Sequence, residues 1–228
     1  MQLRQKVMTA SINSLAQTLW GIRLRKLPLV TVSSILSRKH LIRLDGSYSY
    51  VEGSLPWCDL TALITILVDR RPRSVLEIGT FNGHTTRMMA LNLPGSTIHT
   101  IDLPPGRGEG GLLKDDAHLI ESRLVGIEYR SDPEITNVKQ HLGDTANYPF
   151  PQAECVFIDG AHTYEYVRND TKKALSIPGV KTLIWHDCDR AHPGVIRWLL
   201  EMANSSVGVP KRIDGTNLAV FDLKNGRG

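Results

Sequence analysis

The chain has 228 residues and a mass of 25.4 kDa; 41% of its residues are hydrophobic, 22% are charged, and the mean hydropathy is −0.16. These values suit one large globular domain, or one domain with an appendage, and exclude a disordered, collagenous or membrane-spanning chain. The net charge of +4 is unevenly spread: residues 1–44 carry eight bases (Arg4, Lys6, Arg23, Arg25, Lys26, Arg38, Lys39, Arg43) and no acid, whereas the rest holds 19 bases against 23 acids. This predicts a basic N-terminal helical extension, 1–44, joined at Asp45 to a mildly acidic domain, 45–228.

Leu3, Val7, Met8, Ile12, Leu15 and Leu19 recur at helical spacing, so the chain is expected to open with an amphipathic helix ending near Gly21. Three roles stand open for it: packing on the domain or on a second copy in a homo-oligomer, peripheral docking on a membrane surface, or targeting. The longest charge-free stretch, Val7 to Ile22, is broken by six polar residues and cannot cross a bilayer. Cys58, Cys155 and Cys188 have no metal spacing and form no even set, which fits a reducing compartment and a cytoplasmic protein.

Beyond Asp45, Leu60, Leu63, Ile64 and Leu67 mark one face of a helix that ends at Arg70, Arg71 and Arg73. Ser74–Ile78 reads as a buried strand, followed by a glycine turn and a helix after Gly83. Thr97–Ile101, Val138–Leu142, Cys155–Ile158 and Thr182–Trp185 read as further strands. Thr163–Ala174 and Pro193–Met202 read as helices, the second opened by proline. Lys211–Ile213 and Leu218–Leu223 form a closing hairpin across Asp214-Gly215. Strands alternating with helices predict a doubly wound α/β fold with a mainly parallel sheet and an antiparallel C-terminal hairpin. The one long irregular stretch, Leu103 to Gly111, follows the second strand and reads as a lid or a surface loop.

In such a sheet, ligands bind at the carboxyl ends of the strands. Gly79 and Gly83 allow close backbone approach after the first strand, where a helix N-terminus also begins. Asp102 closes the second strand, placed to accept ribose hydroxyls, and Gly143-Asp144-Thr145 closes the third, placed to face a purine. A dinucleotide fingerprint would need glycine where Phe81 stands. The pattern therefore spells a nucleoside ligand.

The string VLEIGTFNGHTT (75–86) resembles the first motif of class I S-adenosylmethionine-dependent methyltransferases, in the catechol and caffeoyl-CoA O-methyltransferase group. FIDGAHTYE (157–165), His186-Asp187 and HPGV (192–195) resemble the macrocin-type, sugar-directed O-methyltransferases. The match runs over roughly residues 57–222. It implies a Rossmann-like sheet of seven strands and the cofactor S-adenosylmethionine. Glu77, Gly79, Gly83 and Thr85 would surround the methionine part, Asp102 the ribose, and Asp144 with Thr145 the adenine; Thr80, Phe81 and Asp159 would also contact the cofactor. It further implies Asp159 and His162 as catalytic residues, with His162 as the general base, and Asp159, His186 and Asp187 as ligands of a divalent ion, Mg2+ or Mn2+.

One departure bears on the metal. Histidine stands at 186 where the catechol type has aspartate, and magnesium prefers oxygen donors. A softer ion, a two-carboxylate site or no metal all remain open. Arg190 and His192 lie over the expected substrate mouth. Trp57, Tyr50 and Glu52 are candidates to cover the cofactor, with core packing the competing reading for the aromatics.

The leading expectation is methyl transfer to a hydroxyl of a small acceptor, a sugar or glycosylated metabolite. A nucleic-acid methyltransferase using the basic arm is the second reading, disfavoured by the acidic body and the missing base-reading motif. A non-catalytic cofactor-binding or assembly module is the third.

Overall fold

Three apolar runs too short for helices, within 75–78, 155–158 and 182–185, become the central strands of one sheet because helices cover both of its faces. The computed structural model describes residues 14–44, 51–104 and 124–223. Its strands are β1 (Leu29–Val30), β2 (Ser74–Ile78), β3 (Thr97–Asp102), β4 (Val138–Leu142), β5 (Cys155–Ile158), β6 (Thr182–Trp185), β7 (Lys211–Ile213) and β8 (Ala219–Asp222). The helices are α1 (14–24), α2 (Val32–Ile35), α3 (Trp57–Arg70), α4 (His84–Asn92), α5 (Ile127–Arg130), α6 (Tyr164–Leu175) and α7 (Pro193–Ala203).

The strand order is β1-β7-β8-β6-β5-β2-β3-β4. All pairings are parallel except those of β8, which runs antiparallel to both β6 and β7. Chain order reverses at β2, which lies between β3 and β5, and that reversal opens the crevice where ligands of such sheets bind.

Alternate residues of each central strand feed opposite layers. Leu76, Ile78, Val156, Ile158, Leu183 and Trp185 pack in the layer of Val167 on α6 and Val195 and Leu199 on α7. Val75, Phe157 and Ile184 pack in the layer of Leu60, Leu63 and Leu67 on α3 and Met88 on α4. Each fully buried Leu contributes about 1.5–3 kcal/mol, so the expected α3 stripe is what seats that helix. Arg71 stops α3 by turning left-handed (φ 48°) and donating its N–H to the Leu67 carbonyl, with Pro72 next in the chain.

The sheet has eight strands, which corrects the expected seven. The additional one, β1, is two residues long and hydrogen-bonds along β7, with Arg212 N–H donating to Pro28 and Asp214 N–H to Val30, both at 2.8 Å. A two-residue strand carries no readable period. It belongs to the stretch before Asp45 that the charge count sets apart, and Leu27 beside it is buried in the core. On α1, by contrast, Leu15, Leu19 and Ile22 are each more than half exposed. Among the described residues no helix is long and apolar enough to cross a membrane.

Asp69 clasps this stretch to α3. Its almost fully buried carboxylate accepts hydrogen bonds from Ser37 N–H (2.9 Å), Ser37 Oγ (2.6 Å) and Arg70 Nη1 (2.6 Å), and lies 2.7 Å from His40 Nε2. Burial acts to raise the Asp69 pKa, but these hydrogen bonds outweigh it and hold the group well below the usual carboxylate range. The stabilisation is therefore complete above the ordinary aspartate pKa and is lost as pH falls through and below it. Asp69→Ala leaves His40 and Arg70 without this partner and is expected to cost about 3 kcal/mol in urea unfolding. The loss should shrink on acidification; a difference below 1 kcal/mol at pH 7 would contradict the clasp.

Candidate active site

The first half of the site is the turn after β2. Gly79 adopts φ 99°, and a Cβ there would meet the Asp159 carbonyl oxygen at 2.1 Å, so only glycine lets this turn lie against the end of β5. Phe81 is also left-handed (φ 50°), and Gly83 (φ 86°) precedes the first residue of α4. The turn is shaped from the neighbouring strand. Asp102 at the end of β3 accepts the N–H groups of Thr80 (3.0 Å) and Phe81 (2.8 Å) on one oxygen and that of Leu103 (2.7 Å) on the other. Gly143 N–H in turn donates to the Asp102 carbonyl, which brings Asp144 and Thr145 beside it. Asp144 accepts from Ala146 N–H and the Tyr166 hydroxyl, while Lys173 and Asn169 donate to the Thr145 carbonyl.

Glu77 lies beneath the turn. It is fully buried, and one carboxyl oxygen accepts the hydroxyls of Thr86 (2.5 Å) and Thr100 (2.6 Å). Its other oxygen has no hydrogen bond among the described residues. Burial pushes its pKa up to about 8. Thr80 bonds the Thr100 hydroxyl (2.6 Å) and the Gln140 amide (3.0 Å), and Thr85 is buried on α4. Gln140 also accepts the Tyr129 hydroxyl. Of that polar chain, Thr100, Gln140 and Tyr129 were not among the expected site residues.

The second half forms where β5 and β6 end. Strand alternation turns Asp159 and His186 toward α3. There His186 Nδ1 lies 2.9 Å from Asp159 Oδ1 and 3.3 Å from Asp187 Oδ2. Its Nε2 lies 2.8 Å from Oδ2 of Asp59, a residue of α3 that is 1% exposed. Asp187 (φ 53°) directs its carboxylate to His162 as well, with Oδ2 2.6 Å from His162 Nε2, and its Oδ1 lies 3.4 Å from His192 Nδ1. His192 Nδ1 is 3.1 Å from Asp189, and the His162 and His192 rings lie 4.5 Å apart.

Charge governs these groups jointly. Burial raises the Asp159 pKa, and the Asp187 charge adds to that while His186 opposes it. Burial also acts against charge on Asp187, but hydrogen bonds to His162 and His186 carry it well below its usual value. For His186 burial favours the neutral ring, yet the Asp159 charge and the hydrogen bonds to Asp159, Asp187 and Asp59 lift it well above its usual value.

Two groups of side chains could hold a divalent ion. Single ligand atoms of Asp159, His186 and Asp187 lie within 4.8 Å of one another, as do those of a second trio, His162, Asp187 and His192. The two share Asp187. The other expected residues separate. Arg190 is exposed, Trp57 is 37% exposed and thus not a core aromatic, and Tyr50 and most of the Leu103–Gly111 stretch lie outside the described residues. Asp59 was missed; its signal is its place at i−3, i−4 and i−7 from buried Ala62, Leu63 and Ile66, which puts an acid on the core face of α3.

The profile of a family described as a methyltransferase domain matches residues 76–199, more than half of the chain, and the chain belongs to that family. No curated protein matches the sequence. Among solved structures the fold is similar to the O-methyltransferase TomG from Streptomyces achromogenes in complex with SAM (20% identity, 85% of this chain and 94% of that one, TM-score 0.53). It is also similar to the Bacillus cereus O-methyltransferase in complex with SAH (16% identity, 76% and 84%, TM-score 0.52). A third is the SAH-bound Podospora anserina methyltransferase PaMTH1 (12% identity, 73% and 78%, TM-score 0.54). The chain is thus a methyltransferase built on the Rossmann-like fold that these enzymes share.

Because the folded-state pKa of Glu77 is raised, this group favours folding at low pH and that contribution is lost as pH rises from about 4.5 to 8. Glu77→Gln keeps the shape and cannot ionise. Its stability relative to the wild type should rise across that range in urea unfolding at stepped pH; a constant difference would mean that Glu77 is ionised in the fold.

Proposed function

We propose that this chain transfers a methyl group from S-adenosylmethionine to a hydroxyl of a small acceptor, a sugar or glycosylated metabolite, with His162 as the base. The observation that carries the reading is the short His162–Asp187 pair at the same strand ends as Asp159 and His186. The fold relatives TomG and the Bacillus cereus enzyme are named as O-methyltransferases and hold the cofactor or its demethylated product.

The residues at β2, β3 and β4 suit that cofactor. A sulfonium and an ammonium call for carboxylates, and Asp102 and Asp144 stand at or just beyond the ends of two adjacent strands, with Glu77 buried beneath the turn beside them. Asp102 retains acceptor capacity beside its amide donors for ribose hydroxyls. When bound, S-adenosylmethionine supplies a methyl on a positively charged sulfur. A divalent ion held by Asp159, His186 and Asp187, when bound, supplies charge that lowers a nearby hydroxyl pKa.

The chain's own residues do the rest. His162 receives the proton that the acceptor hydroxyl sheds, and Asp187, 2.6 Å from Nε2, orients the ring and stabilises the imidazolium that results. Asp187 is itself held by His186, so base and metal ligands form one unit. Arg190, exposed after β6, and His192 are the side chains offered to the acceptor's oxygens.

Isothermal titration should show binding of S-adenosylmethionine, and its absence would remove the reading. His162→Ala should leave that affinity within about twofold and lower kcat by about 10²- to 10⁴-fold with a hydroxylated acceptor. Unchanged turnover would show that another group takes the proton.

A further inference from the structure

Asp59 belongs to no motif that marks the site, yet it touches the site at its centre. It lies in the first turn of α3, its side chain is 1% exposed, and its two oxygens have separate duties. Oδ1 accepts the backbone N–H of Asn217 at 3.2 Å and the Cys58 thiol at 3.3 Å, which fastens the carboxylate to the approach to β8. Oδ2 lies 2.8 Å from His186 Nε2.

A carboxylate acceptor at Nε2 keeps a proton there and turns the other ring nitrogen, Nδ1, toward Asp159 Oδ1 and Asp187 Oδ2. An imidazole presenting one nitrogen to a metal while a buried carboxylate holds the other is the arrangement that orients a ligating histidine and raises its basicity. The result is one nitrogen and two carboxylate oxygens converging from the ends of β5 and β6. Magnesium favours an all-oxygen octahedron, whereas imidazole with carboxylate suits first-row transition ions.

We propose that Asp59 is a positioning residue that holds His186 as a nitrogen ligand, so that this site selects a transition ion such as Mn2+ over Mg2+. The inference rests on the metal reading given under Proposed function. It adds Asp59 and the class of ion.

The test is titration calorimetry of the full chain, freed of metal with chelator, against MnCl2 and MgCl2 separately. The wild type should bind Mn2+ at least about tenfold more tightly than Mg2+. Asp59→Asn, nearly isosteric, should lose about 10- to 100-fold in Mn2+ affinity while Mg2+ affinity moves by less than about threefold, because a hydrated Mg2+ relies on the carboxylates alone. Affinity for S-adenosylmethionine, measured in parallel, reports that the fold is kept. Unchanged Mn2+ affinity in Asp59→Asn, or equal losses for both ions, overturns the role of Asp59 and leaves the metal reading standing. No Mn2+ or Mg2+ binding by the wild type overturns the metal reading and this inference together. Should Asp59→Asn fail to fold, His186→Asn asks the same question by replacing the nitrogen donor with an oxygen. The preference for Mn2+ should then vanish, and a retained preference would show that His186 is not a ligand.

Discussion

Carboxyl groups gathered at one buried edge of the sheet are the constraint on which the site depends. Glu77, Asp102, Asp159 and Asp187 stand on or just beyond the ends of neighbouring strands, and Asp59 joins them from α3. A buried carboxylate must be neutral, hydrogen-bonded or paired, and all three solutions occur. Glu77 stays protonated near neutral pH under two threonine hydroxyls. Asp102 is satisfied by three backbone N–H groups. Asp59, Asp159 and Asp187 share His186, and Asp187 takes His162 as well.

These solutions dictate local shape. The Asp102 carboxylate draws in the N–H groups of Thr80 and Phe81, and Phe81 is left-handed as a consequence of that tight turn. Asp187 is left-handed too, and it meets both His162 and His186. Of the three left-handed residues other than glycine among those described, only Arg71, which caps α3, lies away from the site. Such conformations cost of order 1–3 kcal/mol each, so the packed sheet beneath must hold them. The functional end of the sheet is therefore also its strained end.

The legibility of the chain followed the range of the interactions involved. Strands 74–78, 155–158 and 182–185 were readable because a strand buried on both faces needs a predominantly apolar run, and the helices were readable from their stripes. Asp159, His162, His186 and Asp187 were readable as a set through the resemblance to O-methyltransferase motifs, and the structure brings all four together. Their division of labour was not readable, since it depends on which face each residue takes once its strand has ended. The cofactor half was readable in its order but less in its depth: Glu77, in a motif that signals ligand contact, is sealed below the turn. Trp57, for which core packing competed with a role over the cofactor, is not in the core because the core side of α3 is already filled by Leu60, Leu63 and Leu67.

By itself the sequence determined the alternating fold and the antiparallel hairpin, which local periodicity and turn residues carry, and its resemblance to O-methyltransferase motifs singled out the acids and histidines of the site. Only the tertiary structure decided that Leu29–Val30 extends the sheet, that Asp69 fastens the basic N-terminal stretch to α3, and that Asp59 reaches His186. Each of these joins residues at least 29 positions apart, and in the last case 127 apart. No local pattern encodes such a contact. It follows from how layers stack: the first turn of α3 crosses the end of β6, and an acid there must meet whatever side chain that strand presents.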